Sequence, residues 1–230
     1  MPMTPTAARR QLDAAATAAR NIREALAADI DGIANSKAWS DTHKAELITQ
    51  ARTDAAAALA NLKARTDAAA ADLAAYRPAA PASPTQDAAL NRAANRVGQL
   101  LDAGTGLAEV LQLAVKNRDV AMIEAAREAA PVRIHLDSRG RDSDPAQRFA
   151  EFTAAADLAM TRALAGTPAG AEATDALLGR AAASLAAHEL TAAQAAAEGR
   201  TINGLEHAIA GKYAQQEYDH VAAQLTDPNA

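Results

Sequence analysis

Apolar residues return every seven positions along the first third of the chain, at Leu12, Ala19, Leu26 and Ile33, with Ala15, Ile22 and Ile30 beside them at three- or four-residue offsets. That spacing lays one apolar stripe along a helix, close to a coiled-coil seam. The stripe stops in the stretch 35–38, and Ser40 follows as an N-cap for a second helix. Asp41 then stands in the first turn, where the helix dipole favours negative charge. The second helix repeats the pattern at Ile48, Ala55, Leu62, Ala69 and Tyr76, flanked by Leu59 and Leu73. Two such helices joined by a short connection fold back on each other, so residues 1–76 are expected to form a long antiparallel, coiled-coil-like hairpin. Its corner is Trp39 and Ser40. Trp39 is read as a hydrophobic plug for that corner rather than a binding-site aromatic.

The pattern breaks at 77–86, where Pro78, Pro81 and Pro84 alternate with small residues. Each proline lacks an N–H and biases its predecessor toward extended backbone, so the segment reads as a linker. Beyond it, residues 87–230 are expected to form a carboxy-terminal helical domain. Helical spacing reappears at Leu90, Ala94, Val97 and Leu101, then at Leu107, Val110, Leu111 and Val115, then at Val120, Ile123 and Ala126. Gly104-Thr105-Gly106 separates the first two of these helices, and Pro131 is expected to end the third. Val132-Arg133-Ile134-His135-Leu136 alternates apolar and polar, which predicts a short extended segment. Helices are expected again at 146–165, 171–187 and 191–225, with weak points at Gly199 and Asn203-Gly204. One alternating run cannot form a sheet alone, so the predicted class is all-α.

Composition sharpens this picture. Half of the residues are hydrophobic but only 3% are aromatic, and alanine dominates. Alanine is the strongest helix former, yet it buries little more than a methyl group. Alanine seams let helices approach closely but gain little per residue. Leu12, Leu26, Ile33, Ile48 and Leu62 can each face only one partner helix within a hairpin, so they are the expected self-association surface of a homo-oligomer.

Charge and cysteine content exclude several classes. With 23 basic and 28 acidic residues and no Lys/Arg run, strong nucleic-acid binding is not expected. The absence of cysteine removes disulfide frameworks, thiolate nucleophiles and thiolate metal sites, and fits a cytoplasmic setting. Neither a secretory signal pattern nor a membrane-length apolar run is present in the sequence.

Candidate chemistry is sparse. Glu217 and His220 have the Glu-x-x-His spacing of a di-iron bundle, but such a site needs a second copy and two further glutamates, which the sequence does not supply. Gly104-Thr105-Gly106 lacks the third glycine of a dinucleotide loop, since Glu109 stands there. Asp142-Ser143-Asp144 resembles the start of a calcium loop, but Pro145 follows and the later ligands are missing. Arg133, Arg139 and Arg141 are interspersed with Asp137, Asp142 and Asp144, which reads as a solvated mixed-charge loop. No catalytic residues, metal ligands or cofactor are assigned, and an enzyme is not expected.

Ile30-Asp31-Gly32-Ile33, Trp39-Ser40, Lys44, Ile48 and Ala51 resemble the helical hairpin pattern of small structural and assembly proteins of tailed phages of high-GC bacteria. The resemblance implies a scaffold-like role in virion assembly, with self-association and a capsid-type partner; it supplies no site residues. The expected function is therefore a non-catalytic assembly protein. The alternative is a helical adaptor for a cellular protein partner.

Overall fold

Alanine-rich stripes at helical spacing can bury themselves only against other helices, and the computed structural model describes an all-helical chain over residues 2–79, 86–138 and 144–226. Its helices are α1 (Pro5–Asn35), α2 (Asp41–Ala75), α3 (Gln86–Asp102), α4 (Leu107–Asn117), α5 (Val120–Asp137), α6 (Pro145–Ala163), α7 (Pro168–Ala197) and α8 (Gly204–Thr226). Among the described residues there is no strand. The helices sort into two compact units, Met1–Tyr76 with Asp175–Gln224, and Arg77–Thr174 with Leu225–Ala230.

In the first unit α1 and α2 run antiparallel. The Met3 N–H donates to Asp72 at 2.9 Å, the Gln11 side chain to the Arg65 carbonyl at 2.6 Å, and Lys44 Nζ to the Ala34 carbonyl at 2.9 Å. As position rises along α1, its partner on α2 falls. From Asp175 onward α7 lies along this pair, parallel to α1: Arg9 pairs with Asp175 at 2.7 Å and Arg20 with Glu189 at 2.8 Å. Arg180 donates to the Leu73 and Tyr76 carbonyls, so α7 lends a cation to the carboxyl end of α2, whose last turn has no basic residue. α8 returns antiparallel to α1, with His207 near Arg23 and Tyr218 near Arg9.

The core of this unit is a seam of small side chains. Ala8, Leu12, Ala15, Ala19 and Leu26 of α1 meet Leu59, Leu62, Ala69 and Leu73 of α2, and Ala176, Ala182, Ala186, Leu190, Ala193 and Ala197 of α7 close over them. Close approach is required. A Cβ on Gly179 would lie 2.6 Å from Leu73 Cδ1 and 3.2 Å from Arg9 Cβ, so α7 fits against both hairpin helices only because that position is glycine.

This arrangement corrects the expected self-association surface. Leu12, Leu26 and Leu62 are 0%, 4% and 7% exposed and lie inside the unit, because α7 covers the stripe that a hairpin alone would leave open. Ile33 and Ile48 are half-buried. The division at 77–86 changes too. The chain beyond the prolines does not form one separate domain, since residues 175–224 pack with the hairpin. Residues 80–85 of the expected linker lie outside the described residues. Its ends do not behave as linker, since Pro78 is buried and Gln86 opens α3. The break expected between 187 and 191 is absent, because Ala182, Ala186, Leu190, Ala193 and Ala197 keep one buried face in register along α7. The weak point at Gly199 is real: it adopts φ 69° just past the end of α7.

The second unit packs α3 to α6 around Val97, Leu101, Val110, Leu111, Met122, Ile123 and Met160. Asp157, only 1% exposed, pairs with Arg127 at 2.7 Å, and Arg127 also donates to the Pro78 carbonyl at 2.7 Å. The predicted extended segment at 132–136 is helical. α5 continues through Pro131 to Asp137, despite the roughly 3 kcal/mol that an interior proline costs. The buried series Ile123, Ala126, Ala130 and Ile134 runs on at helical spacing across the proline, and that packing outweighs the local preference. The apparent alternation is one buried residue, Ile134, between the exposed Val132 and Leu136. Arg133 pairs with Asp137 one turn on, at 3.4 Å, while residues 139–143, including Arg139, Arg141 and the Asp142-Ser143 pair, lie outside the described residues.

Truncating Leu12 to alanine is expected to cost about 2–5 kcal/mol in urea denaturation, whereas Val132→Ala should stay within about 0.5 kcal/mol. Leu62→Asp, which buries an unpaired carboxylate, should lower folding stability by several kcal/mol rather than shift an oligomer equilibrium. Urea titration and sedimentation equilibrium of the same variant separate those two effects.

Candidate functional site

The hairpin outruns its cover. Along α1 the last buried residue is Leu26, and along α2 the first is Leu59. No residue from 27 to 58 is buried, although this stretch holds Ile30, Ile33, Leu47 and Ile48. α7 ends near this level, with Gly199 under the guanidinium of Arg52, where an added Cβ would sit 2.9 Å from Arg52 Nη1. The last turns of α1 and the first turns of α2 thus form a two-helix tip with an open apolar side.

Local chemistry fixes the shape of that tip. Thr4 caps α1 by accepting from the Ala7 N–H, and α1 runs to Asn35. Ser40 caps α2 as the spacing predicts, its hydroxyl accepting from the His43 N–H at 3.3 Å, with Asp41 in the first turn. Lys44 reaches back to the Ala34 carbonyl and ties the two ends together. Trp39 is 41% exposed, so its expected role as a corner plug is corrected. It stands edge-on to His43, ring centroids 6.1 Å apart at 85°. The His43 Nδ1 is 3.3 Å from a Glu46 carboxylate oxygen.

Between the helices lies a groove of about 570 Å³, lined by Ile22, Leu26, Ile33, Trp39, Leu47 and Ala51 among others. Its polar lining includes His43, Gln50, Asp29 and Asp54, with no Lys or Arg. Asp54 accepts from the Gln50 amide at 2.8 Å. Of the residues singled out from sequence, Leu26, Ile33 and Trp39 converge here, and Ser40 sits beside them as the cap. Leu12 and Leu62 do not; they belong to the core. Ile48 is half-buried and does not line the groove. Sequence reasoning missed Leu47, His43, Asp29 and Asp54. The adjacent pair Leu47-Ile48 carried a signal, since on a helix only one of two neighbours can face the seam.

The groove offers apolar contact, an aromatic rim and two carboxylates. It juxtaposes no nucleophile with a base. Among the described residues no three His, Asp or Glu side chains come together as a metal-binding group, and Glu217 and His220 are both exposed. No helix among them is long and apolar enough to cross a membrane. No protein-family model, curated protein or solved structure matches this chain.

Ser40→Ala should destabilise the tip by about 1 kcal/mol through loss of the cap. Amide exchange at residues 41–44 should accelerate, with little change at Leu59 to Leu73.

Proposed function

We propose that this chain is a non-catalytic helical protein that works by protein–protein contact, holding an amphipathic helix of a partner in the hairpin-tip groove. The observation that carries this reading is the contrast along one stripe, covered by α7 up to Leu26 and Leu59 and open beyond. Open apolar surface rimmed by polar groups is the usual mark of a partner site. A two-helix groove suits a third helix presenting apolar residues one turn apart, the helix-in-groove mode of recognition. Asp29 and Asp54, with no basic residue in the lining, favour a partner whose flanks carry Lys or Arg. In the setting that the phage resemblance implies, such a partner would be a capsid-type protein. As an adaptor, the chain would use the same groove for a cellular protein.

Trp39 is the sole tryptophan and stands on the groove, so its fluorescence reports occupancy. A synthetic amphipathic peptide of about five helical turns with lysine flanks should shift Trp39 emission to shorter wavelength. The same peptide with glutamate flanks should bind at least about tenfold more weakly at low salt. Leu47→Asp should reduce binding of the lysine peptide at least about tenfold while leaving helix content intact. No response to either peptide would remove the groove as a helix site.

A second reading, self-association, is favoured by a different surface. Leu205, Ile209 and Tyr213 recur every four residues on α8 and are 70%, 45% and 68% exposed. If this stripe pairs two copies, the sedimentation-equilibrium mass should rise over a hundredfold concentration range, and Ile209→Glu should hold it at one chain. A constant single-chain mass for the unaltered protein counts against the homo-oligomer.

A further inference from the structure

The attachment of α8 rests on unusually little apolar burial. Its one buried residue is Ala214, while Leu205, Ile209 and Tyr213 face away from the unit. The side of α7 turned toward it includes Ser184, Ala187, His188, Thr191 and Ala195, which are small or polar and border a cavity of about 580 Å³ between the two helices. Two imidazoles meet across this junction. His188 of α7 and His207 of α8 stack with centroids 3.9 Å apart and planes within 10°. Gly211, one turn along α8, lies against the same ring; a Cβ there would come within 2.8 Å of His188 Nε2.

The charges around the stack decide its protonation. From α1, Arg23 Nη1 stands 3.4 Å from His207 Nε2. A guanidinium can only donate, so this contact is a hydrogen bond only when Nε2 carries no proton. From α7 comes Glu189, already engaged by Arg20 at 2.8 Å and Arg23 at 3.5 Å. From α8 comes Glu206, and from the α7–α8 connection Arg200, which pairs with Glu198. The carboxylate that pulls on His188 is Glu189, whose Oε1 is taken by Arg20 and whose Oε2, 3.5 Å from Arg23, makes no hydrogen bond. A protonated His188 would face the His207 ring at stacking distance, and a protonated His207 would also face Arg23 at 3.4 Å.

We infer that the His188–His207 stack is a proton-operated clasp, holding α8 on α7 while both rings are neutral and releasing it on acidification. Burial, the neighbouring His207 and Arg23 hold the His188 imidazole below the usual histidine range, against an opposing pull from Glu189. The sign follows from linkage. A ring harder to protonate in the docked state than in the free state stabilises docking fully above the free value, near about 6.5. That stabilisation is lost as pH falls below about 6.5 toward the depressed docked value. Release would uncover His188 and Ala195 on α7 and Ala214 on α8. The device is independent of the hairpin-tip groove, so either can fail alone.

Hydrogen exchange on the full chain, corrected for intrinsic exchange rates, tests this between about pH 7.5 and 5. Amide protection along α8 should fall several-fold as pH drops, while that of α1 and α2 holds. The double variant His188→Gln, His207→Gln, uncharged throughout, should show level α8 protection over the same range. Level protection in the unaltered chain, or an equal fall in the variant, would overturn the clasp. Should the variant fail to fold at neutral pH, NMR titration of the two imidazoles in the unaltered chain decides. Titration of His188 below the free-histidine value, with α8 amide shifts moving in the same window, supports the clasp; titration at or above that value overturns it.

Discussion

Close approach of helix backbones is the condition on which the first unit depends. A core of alanines gains only about one methyl of burial per position, so it holds only where helices come near enough for those methyls to interlock with a few leucines. Gly179 marks the tightest point, against Leu73 and Arg9 at once. Because apolar area is scarce, polar groups assist at the edges. Arg9 to Asp175, Arg20 to Glu189 and Arg180 to the end of α2 fix the register of α7 along the hairpin. Each is partly exposed and adds little free energy singly. Their contribution is to select one alignment among the several that an alanine face would tolerate.

What could be read from sequence follows the same division. The hairpin helices and the Ser40 cap were legible, since heptad spacing and capping chemistry are local and each allows few alternatives. The third helix over the stripe was not. α7 is rich in alanine on every side, so its sequence does not say which face is buried, and only packing against Leu12 and Leu62 decides it. Pro131 misled for a related reason: its cost is local, whereas the burial of Ala130 and Ile134 that outweighs it comes from the tertiary fold. At the groove, Ile33 and Trp39 stood out by residue type. Asp29 and Asp54 did not, because an aspartate on a helix surface gains meaning only from what lies beside it.

The second unit uses a different means. It has larger core residues, including Met122 and Met160, and it buries an ion pair between Arg127 and Asp157. Charges taken out of water in this way are weak as stabilisers unless their remaining hydrogen-bonding capacity is met. Part of the Arg127 capacity is met by the Pro78 carbonyl, so the segment just after the hairpin is held by the side chain that neutralises Asp157. The proline-rich stretch therefore begins as an anchored element.

Length is what turns the first unit's packing into a surface. α1 and α2 have 31 and 35 residues, which at 1.5 Å per residue is about 46 and 52 Å. The part of α7 that covers them, from residue 175 to 197, spans only about 34 Å. The difference must emerge at one end or the other. Arg180 binds the carboxyl end of α2, so the excess emerges at the Trp39 end. A hairpin trimmed to the length of its cover would keep the whole core from Ala8 to Leu26 and Leu59 to Leu73. The extra turns contribute no buried residue to that core, yet they carry the chain's tryptophan, a paired Leu47-Ile48 and a second cap. Ile30, Ala51 and Ala55 of these turns pack against the edge of the core, but none is buried, so core burial alone does not require the full length.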